Sequence, residues 1–538
     1  MKHLVLSLFL SSFVFSSMEI TKEWLDTKPR SFAKDFYIWR YLDQNITPQD
    51  AIWALGESNR VNNKLLIKYA KKLKHKETSR VVDCMRMSHT RLIHQDNDCI
   101  ELGLSSYKAT KLSNEQRDKL ISQLQEQYPK KVQILKIINS PIAFQILNAN
   151  DSEIFYDTFL QVGSKFRAEH FNYHIPKNTI ELLRHDIKNF QRLIRKIVIE
   201  PKLTKPQESL LQLNSKDLDH QSTFYLAINA IKHKAYNKAL AYLKESGDKA
   251  YYMFDKDKVL FWQYQLTKSK AYLEKLANSW DINIYSLFAK ESLNKKINNL
   301  VFDFPTNDNN TTTYNIKDPF AWLKVLSDSK KLDSEKMEYY KNLFNTKTTS
   351  GHLAFIQERY AQYKKAYFPT PYSDLTKNYT KQRIALINAI ARQESRFIPT
   401  SISPSYAQGV MQIMPFLSKA LAKQLGEDYD IDKQLEAKTN IRYADKHLDW
   451  LEKQLKHPLF IAYAYNGGIG FTKRMLKSGI FKKGKFEPYL SMELVPYDES
   501  KKYGKKVLAN YIIYYNRTHE KKIHVSTELG KLRLPLPQ

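Results

Sequence analysis

Glycine is scarce: 14 residues in a chain of 538. All-β folds depend on Gly-rich turns, so this scarcity tilts the reading toward helix. Cysteine is scarcer still, with only Cys84 and Cys99. Two thiols supply too few ligands for a metal site, so none is expected, and nothing suggests a cofactor. Apart from the N-terminus there is no long apolar run, so the mature chain is expected to be soluble and not stably inserted in a membrane. Negative charge is in deficit. The 56 Asp and Glu face 85 Lys and Arg, leaving a formal charge of +29. Such a surface concentrates polyanions, either nucleic acid or a cell-wall polymer bearing peptide carboxylates. It also fits a chain whose lysines simply solvate helix faces, as in Lys71-Lys72-Leu73-Lys74-His75-Lys76. No recognised nucleic-acid motif accompanies the basic stretches, so nucleic acid is not the expected partner.

What is present begins with a leader. Lys2 and His3 precede an apolar run from Leu4 to Phe15, and Val14-Phe15-Ser16 offers a small residue before a cut. Residues 1–17 therefore read as a signal peptide and imply the periplasm; an uncleaved anchor is the alternative. In that oxidising compartment Cys84 and Cys99 are expected to form a disulfide tying adjacent helices, the alternative being two buried thiols. Closing a loop of about 15 residues contributes about 3 kcal/mol in the chain-entropy picture.

The chain is long enough for two to four domains, and 42% of it is apolar. From residue 18 onward apolar residues recur at three- and four-residue spacing. One example is Ala227-Ile228-Asn229-Ala230-Ile231 followed by Ala239-Leu240-Ala241-Tyr242-Leu243. Short polar breaks between such pieces are the texture of stacked helix pairs, without a strict repeat. Asn307 to Thr313 is polar and aperiodic, and Phe368-Pro369-Thr370-Pro371 cannot continue a helix. The expected organisation is all-α. Residues 18–306 form a solenoid-like superhelix, 307–370 a small helical linker domain, and 371–538 a separate C-terminal domain.

The chemistry concentrates after residue 376. Ile384, Ile387, Ala391 and Glu394 fall on one helix face, which sets a carboxyl at the end of an apolar stripe. Apolar surroundings favour the neutral carboxyl and raise its pKa, as a general acid requires near neutral pH. The plainer reading is a Glu reaching solvent or pairing with Arg392 or Arg396. Pro415 opens a helix that ends at Gly426, Ile441 to Leu455 forms another, and Pro458 starts a third that stops at Asn466-Gly467-Gly468. Tyr465 and Asn466 at that end can point polar tips into a cleft, or merely cap the helix.

Ala391-Arg392-Gln393-Glu394-Ser395, Gly409 to Pro415, and Ala464-Tyr465-Asn466-Gly467-Gly468 resemble the three signature motifs of the soluble lytic transglycosylases. A fourth match is Glu493 to Glu499, followed by Tyr503 and Val507. The nine-residue step from Glu394 to Ser403 matches too. The resemblance covers the last third of the chain; the N-terminal helices are similar in character only to the family's ring-shaped superhelix. It implies a lysozyme-like C-terminal domain that cuts peptidoglycan glycan strands between N-acetylmuramic acid and N-acetylglucosamine, leaving a 1,6-anhydro end. By the same resemblance Glu394 is the single acid and base and Ser403 holds the substrate acetamido group. Gln412 and Met414 line sugar subsites, Tyr465 hydrogen-bonds near Glu394 and orients it, Tyr465 and Asn466 bind substrate, and Glu499 lies on the cleft wall and contacts substrate. Glu499 has an alternative in surface pairing with Lys501 or Lys502. Five positions depart from the family pattern. Tyr406 stands in place of Gly and is expected to narrow the cleft or reshape its loop; Gly467 replaces Ala; Ser500, Lys501 and Gly504 replace Thr, Arg and Val.

Three other functions are weighed against this one. A muramidase of the same fold would need a second carboxylate, for which Asp428, Asp430 and Asp432 lie in a loop downstream. A scaffold with a dead catalytic domain is disfavoured by the retained Glu394, and a nucleic-acid binder by the leader. Protein partners, such as cell-wall synthesis proteins, are unknown from the sequence.

Overall fold

The computed structural model describes residues 18–73, 75–306 and 312–532. The leader read at 1–17 and most of the polar stretch that starts at Asn307 lie outside the described residues. Within them the chain is helical almost throughout, and the sole named sheet is a parallel pair, Leu300–Val301 with Ala366–Tyr367. The all-α expectation holds.

Local signals start and stop these helices. Ser113 and Gln116 form a capping box at the helix Asn114–Leu124. The Asp219 carboxylate accepts from the Ser222 N–H to open His220–Lys232, and Gly426, at φ +69°, ends Pro415–Leu425. From Lys22 to Ser292 successive helices pack chiefly on their sequence neighbours, as His220–Lys232 does on Tyr236–Lys249. Such an array buries apolar stripes between adjacent pairs and needs no central core. The Cys84–Cys99 disulfide joins the helices Lys76–Arg86 and Asn97–Gly103 within it.

Between array and C-terminal domain lie the helices Ala321–Asp328, Ser334–Leu343 and Ser350–Tyr360. They share a cluster of their own, built on Trp322, Val325, Tyr340, Phe344 and Ile356. The double proline after Phe368 follows the strand Ala366–Tyr367 rather than ending a helix; the helix before it stops at Tyr360.

The array meets the C-terminal domain twice. At its start, Phe36 and Tyr37 share a core cluster with Tyr406, and the Arg40 guanidinium grips the Asp432 carboxylate at 2.9 Å. Over its second half, Arg195 pairs with Asp498 at 3.0 Å, the Tyr285 hydroxyl donates to the Glu493 carboxylate, and Phe261 packs on Tyr489. The array thus leaves and returns to the same body, closing a loop.

Candidate active site

The helix Lys381–Glu394 opens on Thr380, whose hydroxyl accepts from the Arg383 N–H. It buries Ala385, Leu386, Ile387, Ala389, Ile390 and Ala391, packing against the long helix Asp498–Thr518. It stops at Glu394. Arg396 and Phe397 turn left-handed, with φ +57° and +66°, and the Ser395 hydroxyl donates to the Val410 carbonyl at 2.7 Å.

Neither neighbouring guanidinium serves Glu394. Arg392 donates to the Tyr367 carbonyl, Asn510 and Glu358, each at 2.8 Å, and Arg396 also pairs with Glu358 at 3.1 Å. Glu394 keeps an uncharged partner, the Tyr503 hydroxyl, which donates to Oε1 at 2.7 Å. Burial pushes the Glu394 carboxyl up to about 7; the Tyr503 hydrogen bond pulls against this, and the charge of Glu499 adds to it. A carboxyl held half-protonated near neutrality can both give and take a proton.

Ser403 lies on the loop after this helix. Its Oγ accepts from the backbone N–H of Ala407 at 2.9 Å and of Ser405 at 3.2 Å, and its own N–H donates to the Ala407 carbonyl. The segment returns through Gln408, which bridges to Ile402 and Ile413. Gln412, at φ +49°, donates its amide to the carbonyls of Ser401 and Gly409, both at 2.9 Å, so it braces the loop. Met414 occupies the N-cap of Pro415–Leu425, half-buried. Buried Asn440 sews the loop to the helix Ala437–Leu455 by accepting from the Met411 N–H and donating to the Gln408 carbonyl.

The Tyr465 hydroxyl donates to the Met411 carbonyl at 2.7 Å. Burial, and after it the charge of Glu394, raises the Tyr465 pKa. The hydroxyl that donates to Glu394 itself is that of Tyr503. It is four residues beyond Glu499 on one helix, so its position on the same face was open to inference. Of the two expectations for Tyr406, the cleft is not narrowed, since the residue is 1% exposed and buried among Phe36 and Trp39, while the loop turns left-handed at it, with φ +67°. Across the site, Asn466 donates to exposed Glu499 at 3.1 Å and accepts from the Ser500 hydroxyl at 2.6 Å. Lys501 is taken by Asp498, at 2.9 Å, rather than by Glu499. Asp432, weighed as a second carboxylate, is held by Arg40.

Residues 375–486 match the family described as "Transglycosylase SLT domain". The chain carries an SLT domain. Over 156 residues it is 36% identical to the soluble lytic murein transglycosylase of Salmonella typhimurium and 35% identical to that of Escherichia coli K12. These stretches cover 28% of this chain and 23% of each relative, so the matched part spans about a quarter of the relatives' length. The helical array is matched by a solved structure, a complex of the 70-kDa soluble lytic transglycosylase with bulgecin A. It covers 92% of this chain and 88% of that one, at a TM-score of 0.51 and 18% identity. That likeness concerns the fold. Glu394, Ser403, Gln412, Met414, Tyr465 and Asn466 all lie inside the SLT domain match, whereas Glu499 and Tyr503 lie beyond it.

Proposed function

We propose that the chain is a peptidoglycan lytic transglycosylase acting in the periplasm, in cell-wall turnover or remodelling. It cleaves the β-1,4 bond between N-acetylmuramic acid and N-acetylglucosamine and leaves a 1,6-anhydromuramoyl end. The observation that carries this reading is Glu394, raised to about 7 and held by a neutral phenol while both nearby arginines serve Glu358. Protonated, Glu394 gives its proton to the leaving glycosidic oxygen. Positive charge grows at the anomeric carbon, and the substrate's own acetamido oxygen stabilises it. Ser403 keeps its hydroxyl proton to donate to that acetamido group, since its oxygen accepts from two backbone N–H groups. Glu394, now ionised, removes the proton of the muramoyl 6-hydroxyl, which closes the ring onto the anomeric carbon. No water enters, and the rate rests on holding that hydroxyl close.

Glu394→Gln removes the titrating proton with little change of shape. Anhydromuropeptide release from purified sacculi is expected to fall by at least about 10³, while glycan binding survives. The decisive measurement is product mass, with a melting curve to establish folding. Release of 1,6-anhydro products at near wild-type rate by folded Glu394→Gln would falsify the assignment, and wild-type products one water heavier would make the enzyme a hydrolase.

A further inference from the structure

The turn that carries Ser403 is gripped from more than 300 residues away. Three successive residues at its tip each meet the array's first helices. The Pro404 carbonyl accepts from the Asn62 amide at 3.0 Å, and the Ser405 carbonyl from the Lys64 ammonium at 2.8 Å. The Tyr406 ring lies 6.0 Å from Phe36 and 5.6 Å from Trp39, with Lys64 above its face at 5.8 Å. Tyr406 adopts φ +67°, a left-handed conformation that bulky residues rarely take. Its own N–H donates to the Ser403 carbonyl at 2.8 Å, and Ala407, the next residue, closes the turn on both the N–H and the Oγ of Ser403. The side chain that strains the turn is therefore the one that the array holds, and the turn's base is Ser403.

We propose that Tyr406 is a positioning residue, through which the helices Phe32–Tyr41 and Asn63–Leu73 hold the Ser403 turn in its glycan-receiving shape. Without the aromatic anchor a left-handed residue on an exposed turn samples other conformations, and Ser403 loses its fixed direction. The inference rests on the reading that Ser403 touches the substrate. It concerns binding more than chemistry, since Tyr406 makes no contact with Glu394. The signature is a rise in KM with little change in kcat.

The test uses the full chain. Tyr406→Gly relieves the strain but removes the anchor; Tyr406→Phe keeps the ring; Lys64→Met removes the donor to Ser405 and the cation above the Tyr406 ring. Each is made in the active chain for kinetics and in a Glu394→Gln background for binding of a peptidoglycan-derived tetrasaccharide. Tyr406→Gly is expected to raise KM and Kd at least about 5-fold, with kcat within about 2-fold and the pH profile unmoved. Tyr406→Phe restores both constants, and Lys64→Met gives an intermediate rise. Amide exchange over 401–409 should quicken at least about 10-fold in Tyr406→Gly, by less in Lys64→Met, and not in Tyr406→Phe. Faster exchange with unchanged KM and Kd overturns the proposal, as does unchanged exchange with folded protein. A wild-type chain that binds and cleaves no glycan overturns it through the functional reading instead, and the exchange measurement tells the two failures apart. If Tyr406→Gly does not fold, Lys64→Met decides: KM and Kd equal to wild type reject the grip.

Discussion

On the proposed reading, Glu394 and Tyr503 set the working pH between them. The acid must be protonated to begin the reaction, so activity is expected to decline as pH rises through about 7, the value to which burial lifts the carboxyl. The Tyr503 hydrogen bond favours the charged form and lowers that value. Tyr503→Phe should therefore move the alkaline limb to higher pH while reducing the maximum rate; a limb that stays put or moves down would show that the phenol does not govern the acid. Stability responds with the opposite sense of benefit. Glu394 binds its proton more tightly in the folded chain than in the unfolded one, so its ionisation costs stability between about pH 4.5 and 7. Glu394→Gln is accordingly expected to melt higher than wild type at pH 8, by roughly 1–3 kcal/mol, and to lose that advantage at pH 4. The family departures also make sense side chain by side chain. A Cβ on Gly504 would sit 2.2 Å from the Tyr463 ring, and one on Gly467 2.6 Å from the Ser500 hydroxyl that serves Asn466. Each small residue leaves room for a large or polar neighbour.

At the scale of single elements, the three helices before the SLT domain carry a histidine with an unusual cost. His352 is fully buried among Tyr314, Trp322 and Phe344, and neither ring nitrogen has a hydrogen-bond partner among the described residues. Burial drives its pKa down to about 3. The unfolded chain takes up that proton near pH 6.5 and the folded chain does not, so the contribution is intact above about 6.5 and is lost as pH falls toward 3. His352→Phe keeps an aromatic ring in the cage. It is expected to be neutral or stabilising at pH 7 and to gain about 3 kcal/mol over wild type at pH 4, read from denaturant melts at the two pH values. Equal losses in both proteins on acidification would refute it. The helices themselves were legible: the apolar spacing of Ile384, Ile387 and Ala391, the proline starts at 415 and 458 and the stop at Gly426 all appear where local patterning predicts. Glu394 stood out because its stripe and its flanking motif agree. What local sequence could not carry is the pairing of distant segments. Glu358 captures Arg392 and Arg396 from another helix, Tyr406 is drawn away from the cleft by Phe36, and Lys501 is buried against Tyr225 instead of meeting Glu499. Each depends on which elements pack together, and that is set by the whole array.

For the whole molecule, the seam between the array and the C-terminal domain carries buried charge, crossed by the Arg195–Asp498 pair. Glu493 and Lys505 are each 2% exposed and pair at 2.6 Å, joined by the Tyr285 hydroxyl. Burial alone would raise the Glu493 carboxyl, yet Lys505, Lys258 and Lys501 together hold it below its ordinary value, while burial lowers Lys505 to about 8. Glu493→Gln strands a buried ammonium and is expected to cost about 3–5 kcal/mol, whereas an exposed pair such as Lys165–Glu169 should be worth under about 1 kcal/mol. Equal effects of the two in thermal melts would count against a seam held by charge. The net charge of +29 acts at longer range. Sacculus binding should weaken as salt rises, because exposed charges are screened beyond about 8 Å at physiological ionic strength; binding indifferent to salt would remove any role for the basic surface. The seam also bears on how such a protein can be reassembled. A C-terminal domain grafted onto another array that lacks the equivalents of Tyr225 and Tyr285 would arrive with Lys501 and Lys505 and no phenols to receive them, so the graft is expected to misfit even with every motif around Glu394 intact. Parts of this chain are expected to be interchangeable only as matched pairs of faces, and the junction adjoins the site, because Lys501 and Lys505 flank the Tyr503 that holds Glu394.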